Sequence, residues 1–122
     1  MNKAAPVILI VDDNQVSRGV LVELFSNRGF EVVSKGDPKG ALAYINDHRP
    51  DIIISDYVMP GMTGLELAGE AFSLYEGIPF MLVTGLEERD INNLKIADNI
   101  VTIQKPFELI KILELVNEMI AA

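Results

Sequence analysis

The chain has no cysteine among its 122 residues. That excludes a disulfide framework and any thiolate metal site, and it fits a reducing compartment. Long apolar stretches are also missing. The longest uninterrupted one, Val7-Ile8-Leu9-Ile10-Val11, is far short of the about 20 residues a membrane helix needs. Asp12-Asp13 ends it too early for a signal peptide. Basic residues are the minority, 10 against 18 acidic, giving a net charge of −8. Nonspecific binding to nucleic acid or to an anionic membrane surface is therefore disfavoured. No linker, low-complexity tract or break in composition divides the chain, so residues 1–122 are expected to form a single domain, in a cytoplasmic setting.

What is present is ordinary for a globular domain, 49% hydrophobic and 23% charged residues, but its order is informative. Short apolar, β-branched-rich runs alternate with helix-like stretches. Such alternation argues for an α/β fold, a parallel sheet with helices on both faces, because a parallel crossover needs a helix to return the chain. The continuous apolar character of the runs fits strands buried on both sides.

Local signals mark the helices. Val16, Val20, Leu21, Leu24 and Phe25 predict one apolar face, with Gly29 as a stop. Asp37-Pro38 reads as an N-cap and first turn, followed by Ala41, Leu42 and Ile45, and Thr63-Gly64-Leu65-Glu66 as a capping box with Leu65, Ala68 and Phe72 inward. A last helix is predicted from Pro106, burying Leu109, Ile112, Leu113, Val116 and Ile120. Between Leu86 and Ala97 only Ile91 and Leu94 recur at helical spacing, which predicts a short, mobile fourth helix.

The chemistry sits where the runs end. Asp12-Asp13 follow Val7–Val11, Asp56 follows Ile52-Ile53-Ile54-Ser55, Thr84 follows Phe80–Val83, and Lys105 follows Ile100–Gln104. In a parallel sheet all five side chains emerge at one edge. Carboxylates at close range raise one another's pKa unless something neutralises them. A hard dication does so, and oxygen-only ligands favour Mg²⁺. Lys105 is a compact charge suited to a phosphoryl oxygen, and the Thr84 hydroxyl is a second donor. A carboxylate can accept a phosphoryl group, giving an aspartyl phosphate. Such transfer is mostly alignment and charge neutralisation. Asp56 stands alone and is the candidate nucleophile, while the Asp12-Asp13 pair is better placed to hold metal.

These residues, together with Met59-Pro60-Gly61, Gly64, Gly85 and Pro106-Phe107, make the whole chain resemble a response-regulator receiver domain. The resemblance implies a flavodoxin-like (βα)5 fold, a doubly wound five-stranded sheet in the order 2-1-3-4-5. The crevice where strand order reverses then lies between the strands ending in Asp12-Asp13 and Asp56. It implies that Asp56 takes phosphate from a sensor histidine kinase or histidine phosphotransfer protein and that the changed state is read by a downstream output protein or domain. It also implies Mg²⁺ held by Asp13, Asp56 and the Val58 main-chain carbonyl, with Asp12 acting through a metal-bound water. A cis Lys105-Pro106 bond, room for phosphate beside Gly85, and a kinase contact around Gln15, Val16 and Arg18 follow from the same likeness.

Three positions depart from the family pattern. Thr102 stands where an aromatic switch residue is common, so Thr84, the Leu86–Ala97 segment and backbone shifts are left as the route to output. Val58 and Leu86, two past Asp56 and Thr84, offer nothing to orient an attacking water, so a long-lived phospho form is expected. Ile110, apolar on an otherwise polar helix side, is a candidate output contact. The single histidine, His48 in Asn46-Asp47-His48-Arg49-Pro50, is expected at the opposite sheet edge as a solvated loop residue. An aspartate-nucleophile phosphatase needs a second Asp where Val58 stands. A flavin-binding module needs a Ser/Thr/Gly-rich phosphate loop where Asp12-Asp13-Asn14-Gln15 stand. A receiver acting as an interaction platform without phosphorylation is the remaining alternative.

Overall fold

Alternate residues of the central strands point to opposite sides of one sheet, and each side has its own core. The computed structural model describes residues 4–93, 97 and 99–121. Its strands are β1 (Val7–Val11), β2 (Glu31–Lys35), β3 (Ile52–Asp56), β4 (Phe80–Thr84) and β5 (Ile100–Gln104), and its helices are α1 (Gln15–Ser26), α2 (Pro38–Asp47), α3 (Gly64–Leu74), α4 (Glu88–Asn93) and α5 (Leu109–Ala121). The strands form one sheet in the order β2-β1-β3-β4-β5, and every pairing is parallel.

On one face Ile8, Ile10, Ile52, Ile54, Met81 and Val83 pack with Leu21 and Phe25 of α1 and Ile112, Leu113 and Val116 of α5. On the other, Leu9, Val11, Ile53, Phe80 and Leu82 pack with Ala41 and Ile45 of α2 and Leu67, Ala68 and Ala71 of α3. The split follows from the two-residue period of a strand. It also explains why β1, β3 and β4 read as continuous apolar runs, since both of their faces are covered. The edge strand β2 has only half-buried and exposed positions.

The helix caps follow the sequence signals. Asp37 Oδ1 accepts the Gly40 N–H ahead of Pro38, and Thr63 and Glu66 form a reciprocal capping box. Gly29 takes a positive φ of 87° just past α1, where an L-residue would be strained.

Expectations for three of the helices need correction. In α1, Val16 and Val20 are exposed while Leu21 and Phe25 are buried; the first two line a surface groove rather than the core. In α3 the buried stripe is Leu67, Ala68 and Ala71, with Leu65 and Phe72 only half-buried, because small residues let the helix lie close to the sheet. The last helix starts at Leu109, not at Pro106, and Leu109 is exposed and Ile120 half-buried. Lys105-Pro106 is a cis peptide, and the chain turns before the first helical bonds form, from Lys111 and Ile112 to the Glu108 carbonyl. The fourth helix is short, as expected, at six residues; Leu94, counted in its pattern, lies outside the described residues.

Candidate functional site

The carboxyl edge of the sheet is assembled by strand register. Val11 pairs with Ser55 across β1 and β3, which brings the residues just beyond them, Asp12-Asp13 and Asp56, to one crevice. Asp56 pairs with Val83, and Thr84 with Gln104, so Thr84 and Lys105 follow at the same edge. Each of Asp12, Asp13 and Asp56 offers a carboxylate oxygen within 4.8 Å of the others. Lys105 Nζ lies 3.2 Å from Asp56 Oδ1, in a pair whose side chains are 35% and 14% exposed.

Each acid is held differently. Asp12 is buried, its Oδ1 accepting the Asn14 N–H at 2.9 Å. The Arg18 guanidinium donates to the Asp12 main-chain carbonyl at 2.7 Å, and the Asp12 N–H donates to the Lys35 carbonyl. The α1 cap is Asn14, which accepts from the Ser17 N–H, so helix capping does not consume the carboxylate of Asp13, which is exposed. Asp56 Oδ1 accepts the Tyr57 N–H at 3.0 Å, and the Asp56 carbonyl accepts the Ser55 hydroxyl at 2.9 Å.

Burial pushes the Asp12 carboxyl above its usual value, and the neighbouring charges of Asp56 and Asp13 push the same way against the Asn14 N–H and Lys105. The cluster therefore carries more negative charge than its single ammonium offsets. Its donors are all oxygen, one buried, one half-buried and one exposed. That set fits a hard dication with room for water, Mg²⁺ above all.

Thr84 is buried, and its Oγ1 accepts the Leu86 N–H at 3.0 Å. Gln104 Nε2 donates to the Leu86 carbonyl at 2.8 Å, tying the end of β5 to the segment after β4. Gly64 lies against the backbone of Asp56. A Cβ added there would sit 2.4 Å from the Asp56 carbonyl oxygen and 2.6 Å from Leu82 Cδ1.

Across residues 8–117 the sequence matches the family described as the response regulator receiver domain. The chain belongs to that family. Among its relatives, the phosphate regulon transcriptional regulatory protein PhoB of Pseudomonas aeruginosa is 35% identical over 105 residues, covering 82% of this chain and 45% of that protein. Sporulation initiation phosphotransferase F of Bacillus subtilis is 30% identical over 112 residues, covering 91% and 90%. The chemotaxis protein CheY4 of Vibrio cholerae superposes with a TM-score of 0.85 at 28% identity, covering 95% of this chain and 99% of that one. The chain thus spans less than half of PhoB but nearly all of the other two. It is a receiver domain of two-component signalling, with the flavodoxin-like fold those neighbours share.

In this receiver Val58 exposes its side chain, and Gly85 has open space where a Cβ would stand. Thr102 is half-buried in β5 opposite Leu82. Ile110 is 53% exposed near the start of α5. His48 caps the far end of α2, exposed and stacked on Tyr44 at 4.9 Å between ring centroids. The reading from sequence missed the Gln104–Leu86 bond and the Arg18–Asp12 bond. Neither has a sequence signature, because each joins segments that only the folded sheet brings together.

Proposed function

We propose that this receiver accepts a phosphoryl group on Asp56, with Mg²⁺, from a sensor histidine kinase or histidine phosphotransfer protein. Residues 1–122 act as a single domain in a cytoplasmic setting, and a downstream output protein or domain reads the phosphorylated state. The observation that carries this is the Asp56 carboxylate, mostly buried, 3.2 Å from Lys105 Nζ and grouped with Asp12 and Asp13.

An Asp56 oxygen attacks phosphorus while the P–N bond to the donor imidazole breaks, and that nitrogen takes up a proton. Lys105 is the partner for a phosphoryl oxygen, leaving its present pairing with Asp56. Thr84 supplies its hydroxyl proton to another oxygen and in turning gives up the Leu86 N–H. Asp13, Asp56 and the Val58 main-chain carbonyl would hold the metal, with Asp12 supporting it through a water. Bound there, Mg²⁺ neutralises the carboxylates and the incoming phosphoryl oxygens. Movement of the segment after Thr84, together with Thr102 and the exposed Ile110, is the route to the output partner. The net charge of −8 suits a protein partner better than nucleic acid. Among the described residues no helix is long and apolar enough to cross a membrane.

The test is incubation with Mg²⁺ and a small phosphodonor, followed by intact mass. One phosphoryl adduct on the native protein, lost in Asp56→Asn and on chelation of the metal, is the expected result. No adduct on the native protein overturns the reading in favour of an interaction platform, and an undiminished one on Asp56→Asn overturns Asp56 as the acceptor.

A further inference from the structure

A groove of about 480 Å³ runs from the acidic site out between α1 and the segment leading into α5. Its polar end holds Asp12, Asp56 and Lys105, and its walls include Val16, Val20, Phe107 and Leu109. All four of those wall residues are apolar, and three of them are exposed: Val16 77%, Val20 43% and Leu109 42%. The volume falls within the range of small-molecule sites, and apolar walls with a few convergent polar groups are the usual make-up of one.

We propose that this groove seats the acyl chain of small acyl phosphates, so that the receiver takes phosphate from four-carbon donors in preference to two-carbon ones. The inference rests on Asp56 being the phosphoacceptor. Charge complementarity fixes the orientation, because the Lys105 ammonium suits the phosphoryl end and the valine and leucine walls suit only a hydrocarbon. In the reaction an Asp56 oxygen forms the new O–P bond while the P–O bond to the acyl group breaks. A fatty carboxylate anion leaves with the electron pair, and no proton or further reactant is needed. In-line transfer puts the leaving chain on the side of phosphorus away from Asp56, and the groove walls at α1 and Leu109 are the apolar surface proposed to receive it. Each methylene that leaves water there raises kcat/KM by about fourfold when fully buried.

Acetyl and butanoyl phosphate test this directly, because their reacting bonds are alike and only the chains differ. Adduct formation is followed by intact mass at saturating Mg²⁺. The expected result is a kcat/KM for butanoyl phosphate roughly tenfold above that for acetyl phosphate. The ratio falls toward one in Val20→Asn and, independently, in Leu109→Asn, each checked for an unchanged melting temperature. Both positions are exposed enough that at least one variant folds. A ratio near one in the native protein, or a preference that survives both substitutions, overturns the groove assignment while leaving Asp56 as acceptor. No adduct from either donor overturns the Asp56 reading itself.

Discussion

Two residues beside Asp56 are constrained in different ways, one by space and one by charge, and each gives a measurable consequence. Gly64 has backbone and a core leucine where a side chain would begin, with the Asp56 carbonyl 2.4 Å from any added Cβ. Gly64→Ala is expected to cost about 3 kcal/mol, the upper range for overpacking, and to slow phosphorylation because the displaced atom belongs to the acceptor's own backbone. Gly69, in the same helix with nothing within 4 Å of such a Cβ, is the control. Gly69→Ala should gain up to about 1 kcal/mol from helix propensity. Urea denaturation of both variants checks the pair, and equal stabilities would remove the steric account of Gly64. Asp12 differs in that its difficulty is electrostatic. Its folded-state pKa is raised above the ordinary 3.8, first by burial and then by Asp56 and Asp13. Folding therefore favours the protonated form. The contribution is fully present below the unfolded value and lost as pH rises through the folded one. At neutral pH without metal the Asp12 carboxylate opposes folding. Asp12→Asn keeps an acceptor for the Asn14 N–H and removes the charge, so in chelator at pH 7 it should melt above the native protein, with the gap closing toward pH 4. Thermal denaturation across that range decides it, and a variant that melts lower throughout would refute the argument.

At the level of elements, what could be read from sequence depended on how abruptly chemistry changes along the chain. The strand ends were legible nearly to the residue, because Asp12, Asp56, Thr84 and Lys105 each stop an apolar run, and β1, β3, β4 and β5 end at or beside them. The α2 and α3 starts were legible for a similar reason: Asp37 and Thr63 are short polar side chains that must satisfy helix N–H groups. Helix faces were less so. Val16 and Val20 share the period of Leu21 and Phe25, yet the first two are exposed along the groove while the others are buried in the core. Hydropathy does not separate these surroundings. In α3 the buried side chains include Ala68 and Ala71, whose weak apolar signal hides that they let helix and sheet approach. Pro106 read as a helix start, but the chain turns there and α5 begins three residues later. The site itself divides in the same way. Its acids, Thr84 and Lys105 were visible as residue types at run ends. The hold of Gln104 on the Leu86 carbonyl and of Arg18 on the Asp12 carbonyl was not, since such bonds depend on tertiary placement.

For the whole molecule, the three carboxylates are a consequence of folding, since Asp12-Asp13 and Asp56 are far apart in the chain and meet only where β1 and β3 pair. An unfolded chain has no equivalent site, so a dication bound there adds its binding free energy to the stability of the native state. It also favours the charged form of Asp12, whose pKa is raised first by burial and then by the Asp56 and Asp13 charges, so metal affinity and acid stability are linked. With Mg²⁺ at ten times its dissociation constant the gain is about 1.4 kcal/mol, equivalent to a melting temperature higher by roughly 5 °C for a domain of this size. The shift should grow with the logarithm of Mg²⁺ concentration and shrink as pH falls and protons compete for the same oxygens. Asp13→Asn and Asp56→Asn should each reduce it, while Asp47→Asn, at the end of α2 and at the opposite edge of the sheet from the cluster, should not. Differential scanning calorimetry with Mg²⁺ against chelator measures all three. A shift of equal size in the Asp13 and Asp56 variants would mean that the cation binds elsewhere and that the cluster is not its site.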